Sequence, residues 1–220
     1  MSRLSGEPPE IAIVDYGMGN RRSVEKALEH VGAHVRVSGD EAQLRAAAGL
    51  VVPGVGAFPR AMENLRAGGL DELLVERVAA GTPVLGICLG MELAFDYSTE
   101  QGGSQGLGII PGEVRALQAG SLKLPHIGWN EVQFTRPESL LIENLPSQAA
   151  FYHVHSYAAV PSQPQDVLGI AEYGAEFVTA VERGSFYGVQ FHPEKSSAAG
   201  LRMLANFAAI CATAQVPVAR

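Results

Sequence analysis

Cysteine, basic residues and long apolar runs are all scarce in this chain. Its 220 residues include two cysteines, too few for the disulfide framework of a small secreted domain, so we expect a reducing compartment. Lysine and arginine number 16 against 23 aspartates and glutamates, and the resulting net charge of -7 excludes a broad nucleic-acid footprint. No run of about 18 apolar residues occurs, and the N-terminus lacks the apolar core of a signal peptide. We therefore expect a soluble, cytoplasmic protein with neither a membrane nor a nucleic-acid partner.

The composition, 47% hydrophobic and 18% charged, is that of an ordinary globular protein, and 220 residues suffice for a substantial core. No long linker, repeat or low-complexity tract divides the chain. We expect a flexible tail over residues 1–9, followed by one domain over residues 10–215.

The first half of the chain alternates apolar strands with helical patterns. Strands are predicted over residues 11–15, 34–37, 50–52 and 83–88, with helices between them where apolar residues recur at three- and four-residue spacing. From about residue 112, short runs typical of antiparallel strands follow, and a helix is predicted over residues 197–212. The pattern indicates an α/β fold: a single three-layer domain with a central, mostly parallel sheet flanked by helices, plus antiparallel strands in the C-terminal half.

Cys88 stands between Gly86 and Gly90 at the end of a predicted buried strand. This is the thiol form of the G-x-S-x-G elbow, in which a sharp strand-to-helix turn lifts a nucleophile out of the sheet. We expect the N–H groups at the helix start to lower the thiol pKa, because their partial positive charge favours the thiolate. A cysteine that only fills the core is the alternative, and the motif alone leaves both interpretations open. Cys211, within an apolar helical stretch, is interpreted as core packing.

His192 and Glu194 are the predicted partners of this thiol. His192 follows a predicted strand over residues 186–191, and side chains two residues apart in an extended segment point the same way, so Glu194 can orient the imidazole. Pro193 stiffens the segment because its φ is locked. Each residue alone is more typical of a solvated strand end or surface carboxylate, but beside the cysteine elbow they favour a base and its orienting acid.

A second glycine-rich loop, Pro53-Gly54-Val55-Gly56, also follows a predicted buried strand. Its backbone amides, together with the N–H of Leu89, could stabilise an oxyanion formed when the thiol attacks a carbonyl. A plain strand-to-helix turn is the alternative. A phosphate loop is less favoured, because the Lys-Ser/Thr ending of such a loop is missing.

Six segments together resemble a known family: DYGMGN (residues 15–20), PGVGAF (53–58), GICLGM (86–91), PHIGWN (125–130), HSY (155–157) and QFHPEKS (190–196). Over nearly its whole length the chain resembles the class I, triad-type glutamine amidotransferases, whose fold is flavodoxin-like. The elbow and the His-Pro-Glu sequence are shared across that class. The first, second and fourth segments are more narrowly similar to the glutaminase subunits of imidazole glycerol phosphate synthases.

The resemblance implies that Cys88 attacks the side-chain amide of glutamine and that a γ-glutamyl thioester forms, with His192 as the base and Glu194 as its orienting acid. Glutamate and ammonia are the implied products, with neither cofactor nor metal. The implied partner is a (β/α)8-barrel cyclase subunit in a heterodimer, which uses the ammonia to make imidazole glycerol phosphate and aminoimidazole carboxamide ribotide in histidine biosynthesis. The implied site residues are Gly54, Val55 and Leu89 for the oxyanion, Gly56, Glu92, Glu100, His155, Ser156 and Tyr157 for glutamine, and Asn20, Trp129 and Lys195 for the partner interface.

Two positions depart from the family's pattern. Glu92 stands four residues after the cysteine, where glutamine is usual. An ionised carboxylate accepts but does not donate hydrogen bonds, and it would raise the pKa of a nearby thiol. Our hypothesis is that Glu92 still frames the glutamine pocket, facing the substrate ammonium. His153 stands where an aromatic residue is usual, and we expect it to serve packing or solvent contact.

Three alternatives remain. A glutaminase subunit of a different synthase is disfavoured by the segment over residues 125–130. A stand-alone cysteine hydrolase of the same fold would be fully active without a partner. A binding module with a vestigial triad is disfavoured because Cys88, His192 and Glu194 are all present.

Overall fold

The computed structural model describes residues 8–214. Residues 1–7 of the predicted tail and residue 215 of the predicted domain lie outside the described residues. Six α-helices occur within the described range: α1 Arg21–His30, α2 Glu41–Ala46, α3 Phe58–Ala67, α4 Leu70–Ala79, α5 Leu89–Glu92 and α6 Ser197–Ala214. The strands there are β1 Glu10–Val14, β2 His34–Ser38, β3 Gly49–Gly54, β4 Val84–Cys88, β5 Phe95–Ser98, β6 Ser104–Gln105, β7 Ile110–Ala116, β8 His126–Phe134, β9 Gln148–His155, β10 Tyr157–Pro161, β11 Val167–Tyr173, β12 Ala175–Arg183 and β13 Phe186–Val189.

A parallel sheet forms the centre of the domain. Its strands run in the order β2-β1-β3-β4-β13, and each neighbouring pair is parallel. Strands β3 and β4 are buried along their whole length, as expected of a sheet covered on both faces. The carboxyl ends of β3, β4 and β13 therefore meet at one edge, where α/β folds commonly bind ligands.

Helices cover both faces of this sheet, and each face has its own core. On one face Ile11 and Ile13 of β1 pack in a cluster with apolar residues of α1 and α6, such as Leu28 and Phe207. On the other face Ala12 and Val14 pack with residues of α2, α3 and α4. Alternate residues of one strand thus enter opposite cores, which is the geometric basis of the three layers.

Beyond β13 the sheet continues through pairs that are antiparallel, except for β7 and β5, which are parallel. Strand β12 pairs with β13, and the order continues through β10, β7, β5 and β6. A branch leaves β12 through β11 to β8 and β9. The β8–β9 ladder places His126 opposite His155, which brings two distant histidines together.

The predicted α/β class and its three layers are confirmed, while several boundaries and pairings differ. Strand β13 ends at Val189, not at residue 191, and besides its antiparallel pairing with β12 it lies parallel to β4. The predicted hairpin between β12 and β13 is thus present, and the parallel pairing of β13 with β4 is an addition that was not predicted. Strands β5, β10 and β11 and helix α2 had no predicted counterpart, because their short and mixed apolar patterns give little periodic signal.

Helix α6 is long and apolar enough, by length and composition alone, to cross a membrane. Its residues Met203, Leu204 and Phe207 are instead fully buried against the central sheet. The apolar character of α6 is accounted for by this packing, because a helix that covers the core of a domain carries the same composition.

Candidate active site

Cys88 lies at the junction of β4 and α5 in a backbone conformation that is rare for a non-glycine residue. Its φ is 54° and its ψ is -114°. Such conformations cost of order 1–3 kcal/mol and persist only where the surroundings enforce them. The predicted elbow is therefore present, and the strain falls on the cysteine itself.

The two glycines of the elbow are needed for close packing of the backbone. A Cβ on Gly90 would lie 1.8 Å from the backbone oxygen of Val52, and a Cβ on Gly86 would lie 2.5 Å from the oxygen of Gly90. Neither distance is compatible with a side chain. The glycines thus allow the start of α5 to pack directly on β3 and β4.

His192 and Glu194 are hydrogen-bonded to each other, with 3.0 Å between His192 Nδ1 and Glu194 Oε1. Their side chains are only 5% and 1% exposed, so the carboxylate acts in a dry environment. The predicted pairing is present, but the predicted extended segment was wrong: Pro193–Lys195 forms a 3-10 turn after His192. The turn, rather than a strand pleat, brings the carboxylate back to the ring.

Backbone bonds to β9 fix the position of His192. Its N–H donates to the oxygen of Tyr152 at 2.9 Å. The hydroxyl of Ser196 donates to the oxygen of His192 at 2.7 Å and accepts from the N–H of Tyr152 at 2.9 Å. His192 is therefore held by Glu194 through its ring and by Tyr152 and Ser196 through its backbone.

Cys88 and His192 face one cavity of about 340 Å³. Most of the predicted site residues line it: Val55, Gly56, Cys88, Leu89, Glu92, Glu100, His155, Ser156, Tyr157, His192 and Lys195, together with Pro125 and Val154. Gly54 is not among the lining residues, but it pairs with Cys88 across the β3–β4 ladder. The cavity is large enough for an amino acid.

A larger open groove of about 560 Å³ lies elsewhere, lined by Arg136, Asp166, Glu182 and Arg183 among others. Its charged side chains bond to one another: Arg183 Nη1 lies 3.0 Å from Asp166 Oδ2, and Arg136 Nη2 lies 3.4 Å from Glu182 Oε1. These bonds are typical of a structural ion-pair network. The smaller cavity, which holds the strained cysteine, is the better candidate site.

The pKa of the Cys88 thiol is raised, contrary to the expectation from the helix start. Burial is the largest cause, and the negative charge of Glu92 adds to it. The Leu89 N–H, hydrogen-bonded to the sulfur, acts in the opposite direction but is outweighed. A four-residue helix presents few N–H groups, so its field does not offset the loss of solvent. The thiol of the free protein is therefore protonated at neutral pH.

Glu92 is buried in the cavity wall and holds the side chain of Gln190. Gln190 Nε2 donates to Glu92 Oε1 at 2.8 Å, and the same nitrogen lies 3.9 Å from Cys88 Sγ. Burial raises the pKa of Glu92 to about 7, although the Gln190 bond opposes this. No role was predicted for Gln190 from the sequence, although this residue begins the family-like segment over residues 190–196.

Glu100 lies in the cavity wall and also caps the N-terminus of helix α3. Its Oε2 accepts a 2.7 Å hydrogen bond from the N–H of Phe58, the first residue of that helix. Helix N-termini favour such negative partners. The glycine-rich loop before α3 includes Gly56, whose φ of 106° an L-residue rarely adopts. The loop and Glu100 are thus joined at one side of the cavity.

Three buried histidines pack together beside the cavity, and one of them, His155, lines it. His126 Nδ1 lies 3.0 Å from His155 Nε2, and His155 Nδ1 lies 2.7 Å from the oxygen of Tyr157. Since a carbonyl only accepts, His155 carries its proton on Nδ1 and His126 donates to its Nε2. His153 is fully buried and bonds Thr179 Oγ1 at 2.8 Å, so it serves packing rather than solvent contact. Burial lowers the pKa of His153 to about 3 and that of His155 to about 4.

The residues predicted at a partner interface lie near the cavity or on exposed surface. Trp129 is 55% exposed on β8 and stands edge-on to Tyr152 of β9. Ile127, on the same face, is 60% exposed. Lys195 is exposed at the cavity, and Asn20 precedes helix α1. Large exposed apolar side chains grouped in this way are typical of a protein interface.

Within residues 8–214, no cluster of three or more His, Cys, Asp or Glu side chains is arranged to hold a metal ion.

Comparison with known families agrees with this geometry. The model of the family described as glutamine amidotransferase class-I matches residues 12–211. The chain belongs to this family.

Within this family, the chain is similar to subunits of one synthase. The imidazole glycerol phosphate synthase subunit HisH of Moorella thermoacetica is 51% identical over 197 residues, which cover 90% of this chain and 93% of the relative. The protein of the same name from Synechococcus elongatus is 47% identical over 210 residues, covering 94% and 96%.

Solved structures share the fold at low identity. PurLQS from Thermotoga maritima superposes with a TM-score of 0.72 at 16% identity, covering 91% of this chain and 97% of that one. A crystal structure of a glutamine amidotransferase gives a TM-score of 0.71 at 17% identity, covering 90% and 98%. The fold is therefore that of the family.

Proposed function

We propose that this chain is the glutaminase subunit of an imidazole glycerol phosphate synthase and that it hydrolyses glutamine to glutamate and ammonia at the Cys88 cavity. The observation that carries the proposal is the joint placement of a strained cysteine and a carboxylate-bound histidine on one cavity. The relatives named as HisH supply the particular synthase.

In the proposed mechanism Cys88 attacks the side-chain carbonyl carbon of glutamine. His192 accepts the thiol proton as the C–S bond forms and passes it to the departing ammonia, leaving a γ-glutamyl thioester. Glu194 keeps the imidazole oriented and stabilises its charged form. Water activated by His192 then cleaves the thioester and releases glutamate. Because burial raises the pKa of the free thiol, the proposed attack depends on His192 as the proton acceptor.

The remaining predicted roles stay proposals. Backbone N–H groups of Leu89 and the segment from Gly54 to Val55 would stabilise the oxyanion, since Leu89 N–H is directed at the cysteine sulfur. Glutamine would be held by Gly56, Glu92, Glu100, His155, Ser156 and Tyr157, all of which line the cavity.

We also propose that the ammonia is delivered to a cyclase subunit, a (β/α)8 barrel in a heterodimer with this chain, in the cytoplasm. Asn20, Trp129 and Lys195 are the interface candidates, and the exposed pair Ile127 and Trp129 supports an apolar contact on β8. Delivery between subunits is chemically useful because free ammonia is protonated in bulk water and then no longer nucleophilic.

The test is to measure glutaminase activity of the purified chain alone, with the cyclase, and with the cyclase plus its nucleotide substrate. We expect low activity alone and a large increase in the loaded complex, with Cys88→Ala inactive under all three conditions. Full activity without a partner would instead indicate a stand-alone hydrolase. Retained activity in the alanine variant would disprove the mechanism.

A further inference from the structure

His126 is a buried polar side chain that the mechanism does not use. It begins strand β8, is 3% exposed, and stacks on Tyr173 with 4.0 Å between the ring centroids. Phe177 meets the same ring edge-on. Burying an imidazole among aromatic rings costs free energy unless its N–H finds an acceptor. The acceptor here is Nε2 of His155, which lies 3.0 Å from His126 Nδ1.

The contact between the two rings holds one proton, and this proton belongs to His126. Burial lowers the pKa of both histidines, that of His155 to about 4, so both rings are neutral at pH 7. A neutral imidazole has one N–H, and in His155 it is Nδ1–H, which donates to the oxygen of Tyr157 at 2.7 Å. The N–H of His126 therefore donates to His155 and holds it in the tautomer that reaches Tyr157.

The side chain of His155 supports a bend in the cavity wall. Strand β9 ends at His155 and β10 begins at Tyr157, and between them the chain changes from pairing with β8 to pairing with β7. The hydrogen bond from His155 Nδ1 to the Tyr157 oxygen spans this bend. Residues 155–157 line the cavity, and the oxygen of Val154 just before them lies 3.7 Å from Cys88 Sγ. A shift of the bend would therefore change the shape of the cavity beside the thiol.

We propose that His126 is a positioning residue for the glutamine cavity: its Nδ1–H fixes the ring of His155, which in turn fixes the bend over residues 155–157. The assignment rests on the proposed function for the identity of the substrate. His153, the third histidine of the cluster, bonds the hydroxyl of Thr179 and the oxygen of Phe151 instead. It packs beside the same rings without a hydrogen bond to His155, so the two buried histidines can be compared directly.

The test compares three substitutions in the complex with the cyclase and its nucleotide substrate, by KM and kcat for glutamine. His126→Phe keeps an aromatic ring against Tyr173 and removes the N–H donor. We expect KM to rise about three- to tenfold, the range for the loss of one neutral hydrogen bond. We expect kcat to stay within about twofold, because His126 touches no reacting atom. His126→Asn places an amide N–H at the position of Nδ1 and should keep KM within about twofold.

His153→Phe is the matched control, because it makes the same replacement at a buried ring of the same cluster. It should leave the glutamine KM within about twofold of the parent value. The proposal is overturned if folded His126→Phe keeps the parent KM, or if His126→Asn or His153→Phe raises KM as much as His126→Phe does. A parent complex without glutaminase activity would contradict the proposed function itself.

The hydrogen bond is tested separately by NMR of the unsubstituted chain labelled with ¹⁵N at its histidines, which requires neither activity nor a folded variant. We expect a scalar coupling between His126 Nδ1 and His155 Nε2, with the proton on His126. A proton on His155 Nε2, or no coupling, overturns the proposal. In the Cys88→Ala complex, added glutamine should shift the ring resonances of His155, and resonances that do not move also overturn it.

Discussion

The two cysteines of this chain differ in almost everything except burial. Cys88 has a φ of 54° and faces a cavity with several ionisable side chains, whereas Cys211 is fully buried within helix α6. Burial raises the pKa of both thiols. A shifted pKa therefore does not identify the nucleophile here. Backbone strain and the bonded His192 and Glu194 do, because a core cysteine needs neither.

Each cysteine also lies near a glycine that has no room for a side chain. Near Cys88 the obstructing atom belongs to the backbone, and near Cys211 it is the cysteine sulfur. A Cβ on Gly90 would meet the backbone of Val52 at 1.8 Å, while a Cβ on Gly49 would meet the Cys211 sulfur at 2.2 Å. We expect Gly90→Ala to cost at least about 3 kcal/mol of unfolding free energy, since the backbone cannot move aside, and Gly49→Ala about 1–3 kcal/mol.

Urea unfolding monitored by circular dichroism measures both changes. Combining Gly49→Ala with Cys211→Ala should recover most of the lost stability, because the obstructing sulfur is removed. Gly68→Ala, whose nearest contact would be 3.3 Å, is the control and should change stability by about 0.5 kcal/mol or less. A Gly49→Ala variant that is not rescued would show that the clash with Cys211 is not the cause.

The buried histidines beside the active site predict that the free energy of unfolding decreases in acid. The pKa values of His153 and His155 are lowered to about 3 and about 4, whereas the unfolded histidines bind protons near pH 6.5. The unfolded chain therefore takes up more protons as the pH falls, and the free energy of unfolding should decrease from about pH 6.5 towards pH 4. His153→Phe should reduce this slope by up to about 1.4 kcal/mol per pH unit.

The measurement is urea unfolding at a series of pH values between 7 and 4. His34→Gln, at an exposed position on β2, is the control and should leave the slope unchanged. If the free energy of unfolding of His153→Phe depends on pH as steeply as that of the parent protein, the buried His153 is not the source of the pH dependence.

The smallest expected effect is that of replacing Cys211, the cysteine outside the cavity. Cys211→Ala should cost about 1–2 kcal/mol through the small cavity it leaves and should keep glutaminase activity of the loaded complex within about twofold. Thermal melting and the coupled assay measure the two quantities. A folded Cys211→Ala protein without activity would contradict the assignment of Cys211 to core packing and of Cys88 alone to catalysis.

Much of the parallel half of the fold was predictable because its strands are buried on both faces. Apolar runs such as the one before Cys88 and the helical spacing of α1 carry strong periodic signals. The family and the three-layer α/β class, predicted from motifs and alternation, are confirmed. Strands β5 and β10, each paired on both sides within the sheet, were not predicted, since their pairing depends on partners elsewhere in the chain.

The sequence alone determined that a glycine-flanked cysteine ends a buried strand and that His192 and Glu194 follow another. Only the tertiary structure decided that β13 lies parallel to β4, which brings these residues to one cavity. It also decided that the pKa of the thiol is raised rather than lowered, and that Gln190 connects Glu92 to Cys88. Desolvation and charge depend on which distant side chains close around an atom, and local sequence does not contain that information.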